Sequence, residues 1–267
     1  MLVDQHIGID VVEETFIESK RDLKLPLICC THIGAPTWNK GFVEDAIDYI
    51  RRYKTPWIGL GDYLEFATRS SPGRGVFEQI LNPDQQKAWF KEKFKPIRKK
   101  NKGLHHGNHD DRGKESGMTE TVNLCESLDT AFLNSHAYHN IRVGEHTWKM
   151  VTTHGTSGAK LPHTKINAVK KLGDIYTEAD IICMGHVHRL EHKTEHENKI
   201  VTVNGTQQVS HEHKGSYVLV GHFINYVGSY AQKMGLHPEP VGFPVLHFGK
   251  DGSFRVEEIF APEVVIK

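Results

Sequence analysis

Short apolar runs and helical periodicities alternate along the first two thirds of this chain. Leu25–Cys30 reads as a buried strand. Phe42, Ala46, Ile47 and Ile50 recur at helical spacing and predict a helix near 40–53. Pro56-Trp57-Ile58-Gly59-Leu60 is the next strand, so strand, helix and strand follow within about 35 residues, the size of a βαβ unit with a right-handed crossover. Residues 66–82 carry Ser, Pro, Gly and two arginines and read as a loop. Asn82-Pro83-Asp84 then starts a helix, with Asn82 as N-cap and Pro83 at the first helical position, and Pro96 ends or kinks it. Leu104-His105-His106 predicts a short strand before a Gly-Asn-His turn. Val122, Cys125 and Leu128 mark the inward face of a helix over 118–129.

The pattern changes after residue 137. Tyr138–Val143 and His146–Thr153 flank Gly144-Glu145, a hairpin signal. Ile166, Val169, Leu172 and Ile175 mark another helix, and Ile181-Ile182-Cys183-Met184 a strand. From 199 onward β segments dominate: Lys199–Val203, Tyr217–Phe223 and a hairpin around Gly249-Lys250-Asp251-Gly252. Residues 1–24 are polar and mixed, a peripheral N-terminal segment. No repeat, low-complexity tract or linker interrupts the chain. The expectation is one domain over 1–267, α/β in class, with two packed mixed β-sheets flanked by helices.

Composition narrows the classes of function. Lys+Arg and Asp+Glu both number 33 in the 267 residues, so no global field draws the chain to nucleic acid or to a membrane surface. The four cysteines, at 29, 30, 125 and 183, match neither a zinc ribbon nor a disulfide framework. The N-terminus lacks the basic start and apolar run of a secretory signal, and no run approaches the ~18 apolar residues of a membrane span. A soluble protein of the reducing cytoplasm, with no membrane partner, is the expectation. Histidine is the outlier, with 19 copies, and suggests metal binding.

Those histidines gather at the ends of the predicted strands. Thr31-His32 follows Leu25–Cys30, and Gly61-Asp62-Tyr63-Leu64-Glu65 follows Trp57–Leu60. Gly107-Asn108-His109-Asp110, His154-Gly155 and Gly185-His186-Val187-His188 follow the next three apolar runs. Ligand sites of α/β sheets lie beyond the carboxyl ends of the strands. A single buried histidine is usually a satisfied core residue; five consecutive strand ends, each delivering His, Asp or Asn, form a set.

This set resembles the calcineurin-like metallophosphoesterase superfamily, whose pattern runs Asp-x-His, Gly-Asp-x-x-Asp/Glu, Gly-Asn-His-Asp/Glu, a later His, then Gly-His-x-His. The last four blocks stand here as GDYLE, GNHD, THG and GHVH, and the resemblance covers roughly residues 25–190. It implies a pair of packed mixed sheets with flanking helices, the β-rich tail after 199 forming the second sheet. It implies two divalent transition-metal ions, Mn, Fe or Zn with Ni or Co also suited. Asp62 would bridge them, with His32 and His188 at the first ion and Asn108, His154 and His186 at the second. His109 would serve the phosphate and its leaving group, and Glu65 and Asp110 would orient ligands.

The family's first aspartate falls on Cys30. Three readings of this departure stay open: a thiolate ligand favouring a zinc-type ion, a weakened first site, or a decaying one. Cys29, on the other side of the strand by alternation, reads as a core thiol. Asp4-Gln5-His6-Ile7-Gly8 repeats the Asp-x-His-x-Gly spelling, but no apolar strand precedes it. Lys91–Lys102, with seven basic residues, reads first as a solvated face and second as a phosphate-backbone contact. Arg69 and Arg74 in the 66–82 loop are candidates for a substrate phosphate, and His211 and His213 for a pocket wall. The function implied is metal-dependent hydrolysis of a phosphate-ester substrate, leaning to phosphodiesters including nucleic acid. A phosphomonoesterase, a pyrophosphate hydrolase and a non-catalytic binding module are the alternatives. The oligomeric state is left open.

Overall fold

The computed structural model describes residues 13–69, 71, 75–116 and 120–262. In chain order the elements are β1 (Glu13–Ser19), β2 (Leu23–Ile28), α1 (Lys40–Tyr53), β3 (Trp57–Gly59), α2 (Gly75–Glu78), α3 (Pro83–Phe94) and β4 (Asn101–Leu104). Then come α4 (Glu120–Leu128), β5 (His136–Val143), β6 (His146–Thr153), α5 (Pro162–Gly173), β7 (Ile181–Met184), β8 (Leu190–Val203), β9 (Thr206–Val220), α6 (Tyr230–Lys233), β10 (Gly242–Phe248) and β11 (Phe254–Phe260). They build two mixed sheets, one of six strands ordered β1-β5-β6-β7-β9-β8 and one of five ordered β11-β10-β2-β3-β4. Among the described residues no helix is long and apolar enough to cross a membrane.

Strand alternation explains the layering. In the five-stranded sheet Leu25, Leu27, Ile58 and Leu60 point at the other sheet, while Ile28 and Trp57 point at α1, α3 and α4. In the six-stranded sheet Ile181, Cys183, Val218 and Val220 face inward, while Ile182, Met184, Tyr217 and Leu219 meet Ile166 and Val169 of α5. The result is a helix–sheet–sheet–helix sandwich, as the sequence resemblance implies. The helix starts are as expected. Asn82 caps α3, in a reciprocal capping box with Gln85; at α1 the structure adds a cap not singled out in the sequence, Asn39, which accepts from the Phe42 N–H.

Several sequence expectations are corrected. The tail after 199 is not the second sheet: β9 joins the six-stranded sheet and β10 and β11 the five-stranded one. Local patterning marks strands but carries no record of which sheet they enter. Within the peripheral 1–24 segment, β1 is an edge strand of the six-stranded sheet, paired in parallel with β5. β8 begins at Leu190 and pairs with β9 along its length. Its polar sequence, LEHKTEHENK, shows no apolar alternation because most of that ribbon is exposed on both faces. The 66–82 loop contains the short α2.

Candidate metal centre

β2, β3 and β4 are mutually parallel in one sheet, as are β6, β7 and β9 in the other. Their carboxyl ends meet at one edge of the sandwich. The loops there are tied together by backbone: the N–H groups of Cys30, His32 and Ile33 donate to the carbonyls of Gly61 (2.9 Å), Asp62 (3.0 Å) and Tyr63 (2.8 Å). The buried Asp110 carboxylate clamps the next loop by accepting from the N–H groups of Tyr63, Leu64 and Gly107, each at 3.1 Å. Burial and the neighbouring Asp62 carboxylate push Asp110 up to about 7. Gly107 is required by this closeness, because a Cβ there would lie 2.1 Å from Asp62 Oδ1.

Strain concentrates at the same edge. Cys30 (φ 52°), His32 (42°), Asp62 (54°), His186 (65°) and His188 (50°) all take left-handed backbone conformations. Non-glycine residues hold that region at a cost of about 1–3 kcal/mol each where surrounding structure enforces it, characteristically at functional sites.

The strained residues deliver two sets of donors that share one carboxylate. Cys30, His32, Asp62 and His188 place ligating atoms within 4.8 Å of one another, and so do Asp62, His154 and His186. Asn108 Oδ1 joins the second set, 2.9 Å from His186 Nδ1 and 3.3 Å from His154 Nε2. Asp62 Oδ2 lies 3.7 Å from His32 Nε2 and 3.4 Å from His154 Nε2. His154 Nδ1–H donates to the Leu60 carbonyl (2.6 Å), which leaves the Nε2 lone pair aimed at the centre. His32 Nδ1 faces Glu65 Oε2 at 3.4 Å, with the same consequence for its Nε2.

Electrostatics fit a cation site. Burial alone would raise the Asp62 carboxyl, but the imidazoles of His154, His109 and His32 hold it well below its ordinary range. Asp62 in turn raises His154 well above its ordinary value, against burial. Burial, with His32 and His222 beside it, keeps His188 neutral. His32 Nε2 and His188 Nε2 stand 3.1 Å apart, two ring nitrogens whose lone pairs need a proton or a cation between them. Imidazole, carboxylate, amide and thiol donors in this arrangement suit first-row transition ions.

Beside the donors stands a positive flank. His109 packs edge-on against His32 (4.4 Å between centroids), and its backbone N–H donates to Asp62 Oδ1 (2.8 Å). Its Nδ1 faces Glu65 Oε2 at 3.3 Å, and Arg112 Nη2 lies 3.0 Å from its Nε2. Arg112 also holds Glu65, whose carboxyl is kept well below its usual range by His109 and His32 against the effect of burial.

Cys30, His32, Asp62, Asn108, His154, His186 and His188 are thus brought together, with His109, Glu65 and Asp110 around them. Other sequence candidates are not. Arg69 is exposed, and Arg74 and the Asp4–Gly8 motif lie outside the described residues. His211 and His213 sit on the exposed β8–β9 ribbon, where His211 pairs with Asn198 (2.9 Å) and His213 with Ser216 (3.0 Å). The Lys91–Lys102 run leads into the first residues of β4 while the site follows its last, so the two lie at opposite ends of that strand, and Lys93 is paired with Glu44 (3.0 Å). Cys29 does not face away from Cys30; the two sulfurs are 3.3 Å apart, because left-handed Cys30 breaks strand alternation.

Two residues of the site escape the sequence reading. Arg112 follows GNHD on a 3₁₀ turn and is visible only once His109 is placed. His222 follows Gly221 at the end of β9 and stacks on His188 (5.1 Å, 17°), with Nδ1 accepting from the Ile224 N–H (3.2 Å). Its signal, Gly-His after an apolar run, is the one that found the others.

No protein-family model matches the sequence, and no curated protein is significantly similar to it. Among solved structures, a metallophosphoesterase from Sphaerobacter thermophilus is 10% identical, with a TM-score of 0.40, over 90% of this chain and 89% of that one. Vps29 from Entamoeba histolytica, complexed with zinc, is 15% identical, with a TM-score of 0.39, over 89% and 99%. A conserved Streptococcus pneumoniae protein described as a predicted phosphoesterase is 10% identical, with a TM-score of 0.39, over 91% and 100%. These likenesses are loose, and the functional reading rests on the donors themselves.

Proposed function

We propose that this protein hydrolyses phosphate esters with two divalent transition-metal ions. Cys30, His32, Asp62 and His188 would hold one, and Asp62, Asn108, His154 and His186 the other. The observation that carries this reading is the buried Asp62 carboxylate, common to both donor sets. Such a pair supplies Lewis-acid charge and lowers the pKa of a water for in-line displacement at phosphorus. The chain's own residues do the rest. Asp62 sets the spacing of the two donor sets. His109, held by Glu65 and Arg112, stands beside them to place or protonate the leaving oxygen. Arg112 adds a fixed positive charge for the phosphoryl group.

Within this reaction class we favour phosphodiesters, with nucleic acid as a candidate. That preference is carried over from the sequence and is the part of the reading the assay below decides, since Arg69 is exposed and the lysine run is remote from the centre. The test is reconstitution of chelator-stripped protein with Mn²⁺, Fe²⁺ or Zn²⁺, followed by rates on bis-p-nitrophenyl phosphate, p-nitrophenyl phosphate and a pyrophosphate ester. Faster turnover of the diester is expected. A preference for the monoester or pyrophosphate would move the substrate class. Two bound ions with no turnover of any ester would favour a binding module.

A further inference from the structure

The two donor sets differ chemically. The second offers imidazole, carboxylate and amide; the first includes sulfur. We propose that the first site is a thiolate site for a zinc-type ion, with Cys30 Sγ as a direct ligand alongside His32, His188 and Asp62. This rests on the metal centre described above, and not on phosphoester hydrolysis.

Four observations carry it. Cys30 Sγ lies in one donor group with a carboxylate oxygen and two imidazole nitrogens, all within 4.8 Å, the composition and number of a tetrahedral zinc site. Cys30 is wholly buried, and its left-handed backbone turns the thiol out of strand alternation toward those donors. His32 Nε2 and His188 Nε2 converge to 3.1 Å, as ligands of one ion would. Finally, Cys29 groups with Cys30 and His154 but not with His32, Asp62 and His188, so the sulfur that belongs to the first site is that of Cys30. The Cys29 thiol lies 3.1 Å from the Leu60 carbonyl and 3.3 Å from Cys30 Sγ, close enough to donate to a Cys30 thiolate. The imidazole that contacts Cys29 among the described residues is His154, 3.7 Å away at Nδ1, and that nitrogen is committed to Leu60.

Sulfur changes which ion the site keeps. Thiolates select soft or borderline ions such as Zn²⁺ and Co²⁺, whereas carboxylate at the same place suits Mn²⁺. The centre is therefore asymmetric, with a zinc-type ion at Cys30 and a position of nitrogen and oxygen donors at His154 and His186.

The test is X-ray absorption at the zinc edge of full-length protein, stripped and reloaded with one equivalent of Zn²⁺. A sulfur scatterer near ~2.3 Å is expected, beside nitrogen and oxygen near ~2.0–2.1 Å. Cys30→Ser and Cys30→Asp should lose the sulfur scatterer, and Cys29→Ser should keep it. Losing an outer partner of a ligand typically costs about 10–100-fold in affinity. Cys30→Ser, which loses the ligand itself, should lower Zn²⁺ affinity by at least ~100-fold in chelator competition, by the same scale. Cys30→Asp should reverse the preference toward Mn²⁺. Only nitrogen and oxygen around zinc in the wild type would overturn the proposal, as would a sulfur path that survives Cys30→Ser and vanishes in Cys29→Ser. Circular dichroism checks folding; should Cys30→Ser unfold, Cys30→Asp and Cys29→Ser still decide. A sulfur-bound zinc in a protein that turns over no phosphate ester would uphold the thiolate site and remove the hydrolytic reading instead.

Discussion

At the residue scale the proposed mechanism divides the work of the centre between Asp62 and His109, and substitutions should separate them. Asp62 serves both donor sets, so Asp62→Asn should lose both ions and most activity; metal analysis with a rate assay checks it. His154→Ala, which touches one set, should cost most activity while leaving ion at the first site. His109 bonds to Glu65 and Arg112 and sits outside the donor sets that share Asp62. His109→Ala should therefore lower kcat by about 10²–10⁴-fold with metal content unchanged. Loss of a stoichiometric ion in that variant would show that it ligates. The chain spelled these residues out at strand ends. Arg112 was not legible, because its role depends on a fold-back within the turn after His109, and no local pattern records that. Cys29 is the core thiol that the sequence predicts, but its sulfur lies beside that of Cys30, because strand alternation does not extend to a position where the backbone is left-handed.

At the scale of elements, β4, β5 and β6 meet around a polar cluster inside the sandwich. His105 Nε2 and His139 Nε2 both contact the Thr152 hydroxyl, at 2.7 and 2.6 Å. Burial pushes each imidazole down to about 3. An unfolded histidine titrates near ~6.5. Below that pH the unfolded chain takes up protons that the native state refuses, so stability is full above about 6.5 and is lost as pH falls toward 3. Urea midpoints should fall over that window and be flat above it for this contribution, and His139→Gln should lessen the slope. An unchanged slope would show that His139 accepts a proton in place. The outer β8–β9 ribbon behaves oppositely. Ile200 and Val209 face each other across it and are 73% and 69% exposed, so it adds little to the core. Replacing 198–211 by a tight turn should leave metal content and hydrolysis rates unchanged.

At the scale of the whole molecule, the centre lies where two sheets bring their carboxyl edges together, so its integrity depends on the sandwich as a unit. Exhaustive chelation should abolish turnover and lower the unfolding midpoint, and ions should restore both, because a ligand bound by the native state stabilises it by mass action. Undiminished turnover after chelation would remove the two-metal mechanism.

The sequence by itself determined the parallel strands of the first half, the extent of α1, the cap of α3, and the donors that follow each strand. These are local matters: a run of apolar residues makes a strand, and a glycine with a polar neighbour ends it. The tertiary structure alone decided how the later strands divide between the two sheets and that the peripheral β1 pairs with β5. It also decided that His222 backs His188 and that Cys30, at the margin of the core, stands among imidazoles and a carboxylate. Each of these depends on pairing or packing between residues far apart in the chain. For Cys30 it also depends on a backbone conformation that loops from three strands jointly impose.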